Sequence, residues 1–167
     1  MERCTRRLAT FKNVQKPGYQ RMDIDAIMTR RVVSVFMEDD LRKIHNLFVA
    51  EPFHHLLVIE NDRRLAGVIS DRDYFKAISP NIDRDGACTW TLAALNKKAH
   101  QIMSRYPVVL RAGASMDEAL ELLTGNNLSC LPVVNNMGIA IGIISWKDML
   151  RYIAVSRKSQ CCATGTA

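Results

Sequence analysis

Two short stretches of this chain carry the residues best suited to chemistry: GVISDRDYF, Gly67 to Phe75, and GIISWKDML, Gly142 to Leu150. Each reads Gly, two β-branched residues, Ser, two variable residues, Asp and two apolar residues. Ser-x-x-Asp ahead of an apolar run is a helix start, in which the hydroxyl accepts from the backbone N–H at the Asp and the carboxylate reaches back. The same turn can hold a ligand. Free N–H groups at a helix N-terminus attract phosphate, and a serine hydroxyl can donate to a phosphate oxygen. Arg72 and Lys147 add positive charge. The carboxylate of Asp73 or Asp148 can accept from the two hydroxyls of a ribose. A cap needs Ser and Asp, but not a cation at the same place in both copies.

Other chemistry is poorly supported. There is no GxSxG, HExxH, phosphate-binding P-loop or dinucleotide fingerprint. Two Asp in equivalent turns suggest two binding sites rather than one acid–base pair. The adjacent His54 and His55 lack metal-ligand spacing, and ordinary packing is their plain alternative. Cys4, Cys88, Cys130, Cys161 and Cys162 are odd in number and show no CxxC spacing. That argues against a zinc site or a secreted disulfide framework and for a reducing, cytoplasmic setting. Gly67 and Gly142 can equally mark a tight approach of the last strand to its neighbour.

The elements that must position these turns come in duplicate. From Gly67 to Gly142 the offset is 75 residues, and it aligns 27–76 with 102–151 without a gap. Twelve of the 50 pairs are identical, where chance at ordinary residue frequencies gives about three. Each copy runs β-α-β-β-α. The first strands are VVSV, Val32–Val35, and PVVL, Pro107–Leu110. Helical spacing follows at Leu41, Ile44, Leu47 and Phe48, and at Met116, Ala119, Leu122 and Leu123. Asp39 or Asp40 caps the first helix; Ser115 and Glu118 form a capping box for the second. The hairpins pair His55–Ile59 with Leu65–Ser70, and Leu131–Val134 with Ala140–Ser145. Closing helices run from about Asp71 to Ile78 and from about Trp146 to Ala154. The expected fold is therefore α/β (α+β), two repeats packed about a pseudo-two-fold axis, because one unit of about 55 residues buries too little core alone.

The expected boundaries are a basic N-terminal arm at 1–21, repeats at 22–79 and 99–155, a linker at 80–98 and a tail at 156–167. Both arm and tail read as disordered. The linker stretch TLAALNKKA can add a helical turn or two. The net charge is +6, from 23 basic and 17 acidic residues in a chain of 167, and much of the excess lies in the arm. A basic arm can bind nucleic acid or act as a transit peptide; a solvated tail, or an extension upstream of a start at Met22, is the plainer reading. The repeats themselves are nearly charge-balanced, which argues against nucleic acid. The arm lacks the apolar region of a secretory signal, and no apolar run suits a membrane helix.

With IMT…VV, LPVVN and the doubled G-h-h-S-x-x-D, the chain resembles a tandem pair of CBS domains, the regulatory module named after cystathionine β-synthase. It is most similar to small bacterial stand-alone CBS-pair proteins of the acetoin-utilisation-like type. The likeness covers about residues 22–154. It implies a homodimer that binds AMP, ADP, ATP or S-adenosylmethionine as a regulatory ligand in the cleft between repeats; with the missing catalytic motifs and metal-ligand spacing, no enzyme, metal or cofactor is expected. It also implies an unnamed regulated protein partner. Carried over residue by residue, one pocket combines Ser70, Arg72 and Asp73 with Ser104, Pro107, Val108 and Leu128. The other combines Ser145, Lys147 and Asp148 with Thr29, Val32, Val33 and Phe53. His54 and His55 stand where the family often has a basic residue near the phosphates, which favours anions in the Asp73 pocket. The dimer would use the apolar flanks of the closing helices, including Tyr74, Phe75, Met149 and Leu150. The alternatives are a ligand-free interaction or dimerisation module and nucleic-acid binding through the arm.

Overall fold

The computed structural model describes residues 23–78 and 92–162; the expected N-terminal arm, most of the linker and the last five residues lie outside them. A single 3-10 turn at Ile24–Ala26 leads into β1 (Ser34–Phe36), α1 (Leu41–Ala50), β2 (His55–Ile59), β3 (Leu65–Ser70) and α2 (Asp71–Ile78). Short helices α3 (Leu92–Leu95) and α4 (Ala99–Ile102) precede β4 (Ser104–Arg105). The second copy continues with β5 (Leu110–Arg111), α5 (Met116–Gly125), β6 (Cys130–Val134), β7 (Ala140–Ser145) and α6 (Trp146–Cys162). In each copy a parallel first strand flanks an antiparallel hairpin: β1 on β2–β3, and β5 on β6–β7. The expected order of elements and α/β class hold.

Local chemistry explains the helix starts. Asp40 caps α1 by accepting from the Lys43 N–H at 2.9 Å. Ser115 caps α5 by accepting from the Glu118 N–H at 3.2 Å. The inner strands β2 and β6 are covered on both faces, with Leu56, Leu57 and Val58 buried in one and every residue buried in the other. Leu56, Val58 and Ile69 pack with Leu41, Ile44 and Tyr74 in one core; Leu131, Val133 and Ile144 pack with Met116, Ala119 and Met149 in the other.

The two cores exchange their leading segments. Ile24 and Met28, from the start of the first copy, are buried in the core of the second, while Ala99, with Met103 beside it, packs in the core of the first. β4 pairs antiparallel with β3, Ser104 opposite Val68, and Thr29 bridges Ile143 in the same sense on the other sheet. These two contacts are the same contact shifted by 75 residues. So are the bridges Asp40–Lys98 and Asp23–Ser115. Arg64 bridges Ile139, its own counterpart, which sets that point on the pseudo-two-fold axis. The exchange explains both glycines. A Cβ at Gly67 would lie 2.6 Å from Met103 Sδ, and one at Gly142 would lie 2.5 Å from Met28 Sδ. Each glycine admits the methionine of the other copy.

Two sequence expectations need correction. The first strands start later than Val32 and Pro107, at Ser34 and Leu110. Val33 packs on the first core and Val108 on the second, so their apolarity reflects packing between elements rather than a ladder position. α6 runs to Cys162, past the expected stop at Ala154. Its sequence from 155 to 162 holds no Gly or Pro to end a helix, so 156–162, read as part of a disordered tail, is helical. The helical turn expected in TLAALNKKA is α3, and it is packed: Ala94 is buried and the Leu41 N–H donates to the Lys97 carbonyl at 2.8 Å.

Candidate functional site

The two Ser-x-x-Asp turns have one local design. Ser70 Oγ donates to Asp73 Oδ2 at 2.6 Å, the Ser70 N–H donates to the same oxygen at 3.1 Å, and the Asp73 N–H donates back to Ser70 Oγ at 3.2 Å. In the second copy the corresponding distances are 2.6, 2.9 and 3.4 Å. The cap therefore uses one carboxylate oxygen. At Asp148 the other, Oδ1, has Arg151 Nη1 at 3.7 Å, and the side chain is 14% exposed. Cap and ligand acceptor are thus compatible roles for one residue.

Their surroundings differ. A cavity of about 900 Å³ lies between the copies. The second copy lines it with Ser145, Lys147 and Asp148, and the first copy with Thr29, Val32, Val33 and Phe53. That is the grouping carried over for the Asp148 pocket. Ser70, Arg72 and Leu128, expected in the other pocket, line this same cavity. Asp73 instead borders a separate hollow of about 410 Å³ with Lys76, Lys97, Gln101 and Ile102. Ser104, Pro107 and Val108 line neither hollow. Position 106, counterpart of the cavity-lining Arg31, holds Tyr106 at a φ of 50° and 93% exposed. The first-copy turn thus meets a different edge of its neighbour.

His54 and His55 line the large cavity with Asp148, rather than the hollow beside Asp73 where they were expected. His54 Nδ1 lies 2.8 Å from Asp71 Oδ2. His55 Nε2 lies 2.8 Å from Ser129 Oγ of the other copy. Burial lowers the His55 pKa, against the pull of Asp71, so this ring is neutral at pH 7 and links the copies by a hydrogen bond. The cavity is lined by the cations Arg31, Arg72, Lys147 and Arg151 and by the carboxylates Asp71 and Asp148, which leaves it net positive. Burial pushes the Cys130 thiol up to about 12, so the one cysteine lining the cavity is protonated and a poor nucleophile.

Sequence reasoning passed over Arg31, Asp71, Ser129, Trp146 and Arg151. Trp146 lines the cavity while 48% exposed, and an indole so placed offers a face for a planar ring. Its signal in the sequence was a large aromatic one residue after the motif serine, where the first copy has Asp71. Among the described residues no cluster of His, Cys, Asp and Glu suits a metal ion, and no helix is long and apolar enough to cross a membrane.

Comparison with known proteins agrees with the duplicated fold. The profile of the CBS domain matches residues 23–80 and again 99–155. A homoserine O-acetyltransferase of Methanococcus vannielii is 24% identical over 132 residues, 79% of this chain and 25% of that protein. The chain spans 25% and 54% of the first two curated relatives it matches. A crystal structure described as a putative acetoin utilization protein (AcuB) from Vibrio cholerae superposes with a TM-score of 0.70 at 19% identity, covering 88% of this chain and 100% of that one. The CBSX2 protein in complex with AMP gives 0.67 at 24% identity, covering 81% and 98%.

Proposed function

The chain belongs to the CBS domain family, and we propose that it is a non-catalytic regulatory module sensing an adenosine-containing ligand in the cleft between its two repeats. The observation that carries this reading is the large cavity, where a carboxylate, a lysine and a serine of one copy meet Thr29, Val32, Val33 and Phe53 of the other. The Asp148 carboxylate accepts the ribose hydroxyls through the oxygen its cap leaves over. Phe53, Val33 and Trp146 offer apolar surface for the base, and Lys147 with the α6 N-terminus takes the first phosphate. The fold is shared with a protein crystallised with AMP, which makes AMP the first compound to try, with ADP, ATP and S-adenosylmethionine beside it.

Calorimetry on the folded protein tests the reading. At least one of these compounds binds, and Asp148→Ala weakens it by about 1–3 kcal/mol through unmatched hydroxyls. Equal binding by wild type and variant reduces the carboxylate to a cap; no binding by any adenosine compound leaves a ligand-free interaction module. The family resemblance also implies a homodimer. Tyr74 and Met149 are buried in their own cores, at 3% and 1% exposure, so of these four flank residues Phe75 and Leu150, at 60% and 54%, are the two free to serve it. Light scattering that gives the mass of one chain at every concentration counts against a dimer.

A further inference from the structure

Resting on the adenosine reading above, we infer that the large cavity prefers a nucleoside di- or triphosphate to the monophosphate, and that Arg72, from the copy opposite Asp148, is the residue that discriminates. The cavity continues across the pseudo-two-fold from Asp148 and Lys147 to Ser70 and Arg72. Its volume of about 900 Å³ is near the top of the range of small-molecule sites, roughly 300–1,000 Å³.

The charge is laid out along the same direction. Asp148 has Arg151 at 3.7 Å, while Asp71, which accepts from the Arg72 N–H at 2.7 Å, has His54 Nδ1 at 2.8 Å, a contact that carries opposite charge only when the ring is protonated. Arg31, Arg72 and Lys147 have no carboxylate partner among the described ion pairs. A single phosphate brings about two negative charges, which Lys147 and Arg31 answer near the Asp148 end. Arg72 is then surplus unless further phosphates reach it. It stands at the start of α2, as Lys147 stands at the start of α6, so each copy presents one cation to the same anion chain. The guanidinium can grip a terminal phosphate through two parallel hydrogen bonds, which a lysine cannot. The two copies differ here: Tyr106 stands at the counterpart of Arg31, so the surplus charge faces one nucleotide only.

The test is titration calorimetry with the sodium salts of AMP, ADP, ATP and inorganic tripolyphosphate, without divalent cations and at fixed ionic strength. Wild type binds ATP at least about tenfold more tightly than AMP, the weight of one charge-assisted contact. Arg72→Gln brings that ratio below about threefold, because the loss falls on ATP far more than on AMP. Added salt erodes the ATP preference faster than AMP binding. Arg72 is exposed, so the variant folds, and matched melting curves check it. Equal ATP and AMP affinities in wild type, or an unchanged ratio in Arg72→Gln, overturn the inference while leaving the adenosine reading intact. Tripolyphosphate binding as tightly as ATP overturns it in favour of a simple anion site. If no adenosine compound binds at all, S-adenosylmethionine included, the adenosine reading itself fails.

Discussion

The turns at Ser70–Asp73 and Ser145–Asp148 are nearly superimposable in their hydrogen bonds, yet one faces a large cationic cavity with its Asp and the other a small hollow. The motif fixes a helix start. What the turn can bind is decided by the segment the other copy lays against it: Arg31 to Val33 beside one, Tyr106 turned outward beside the other. Duplication therefore supplies two equal scaffolds, and a few unequal neighbours give them unequal tasks. The cores differ in the same way. The first is aromatic, with Tyr74 against His45 and Phe48, while the second places Met149, Leu120 and Leu123 at those positions.

The strongest way to break the equivalence is at the two glycines. At Gly67 a methyl would meet Met103 Sδ at 2.6 Å and also the Ser104 carbonyl oxygen, a backbone atom, at 2.9 Å. At Gly142 the close atom is Met28 Sδ at 2.5 Å, with the Thr29 carbonyl farther off at 3.3 Å. A flexible thioether can move and a paired backbone cannot. Gly67→Ala should therefore cost about 2–3 kcal/mol and Gly142→Ala about 1 kcal/mol, read from urea midpoints. Adding Met103→Ala should rescue part of the first loss. Equal losses at the two sites would mean the leading segments are not held as unequally as the contacts indicate.

The turns themselves come next. Asp73→Ala and Asp148→Ala each remove a cap, and each should cost about 0.5–2 kcal/mol of stability. Ligand binding should separate them, with the loss of about 1–3 kcal/mol falling on Asp148→Ala and much less on Asp73→Ala. A matching loss for Asp73→Ala in calorimetry would restore two equivalent sites and undo the contrast between the cavities.

How far the sequence could see follows from where each feature is encoded. The offset of 75 residues, the element order and the serine–aspartate caps are local patterns, so they are legible in one chain. The exchange of Met28 and Met103 between cores is a long-range choice. Ile27 and Met28 read the same whichever sheet they cover. The carried-over grouping around Asp148 meets in one cavity, but Ser70 and Arg72 share that cavity while Asp73, one residue farther, does not. One helical residue advances the side-chain direction by about 100°, and no spacing rule shows which side of a helix the neighbouring copy leaves open. Arg31 and Trp146 flank the motifs without repeating between copies, and Arg151 repeats only as the like charge Lys76.

A smaller effect distinguishes the copies by pH. His55 is half-buried against Ser129, with its counterpart Cys130 untitrated near neutrality. Burial depresses the folded-state pKa of His55, so the unfolded chain takes up the proton first as pH falls. Its contribution is fully present above about 6.5 and is lost as the pH drops through the lowered folded value. Stability in the range of about pH 5–7 should rise with pH in wild type, and His55→Gln should flatten that rise. An unchanged slope in the variant would assign it to other groups.

The smallest effect concerns the hairpin turns near the axis. Both copies close on the same geometry: the Arg63 N–H donates to Glu60 O at 2.9 Å, and the Gly138 N–H to Asn135 O at 3.0 Å. The residue after the turn is left-handed in each, with φ of 68° at Arg63 and 78° at Gly138. That conformation crowds a Cβ, at about 1 kcal/mol or more, and is free for glycine. Arg63→Gly should relieve the strain, but it also loosens the unfolded chain, which returns about 0.4–1 kcal/mol. The exposed Arg63 side chain gives up little packing. The balance favours the variant by about 0.5 kcal/mol, a rise of about 1–2 °C in Tm. Gly138→Ala should shift Tm the other way by about the same 1–2 °C, since it adds the strain and regains the chain-entropy term, with no atom near the new Cβ. If Arg63→Gly lowers Tm instead, the arginine side chain holds the two hairpins together where Arg64 bridges Ile139, and the first-copy turn is specified by contact across the axis rather than by its own backbone.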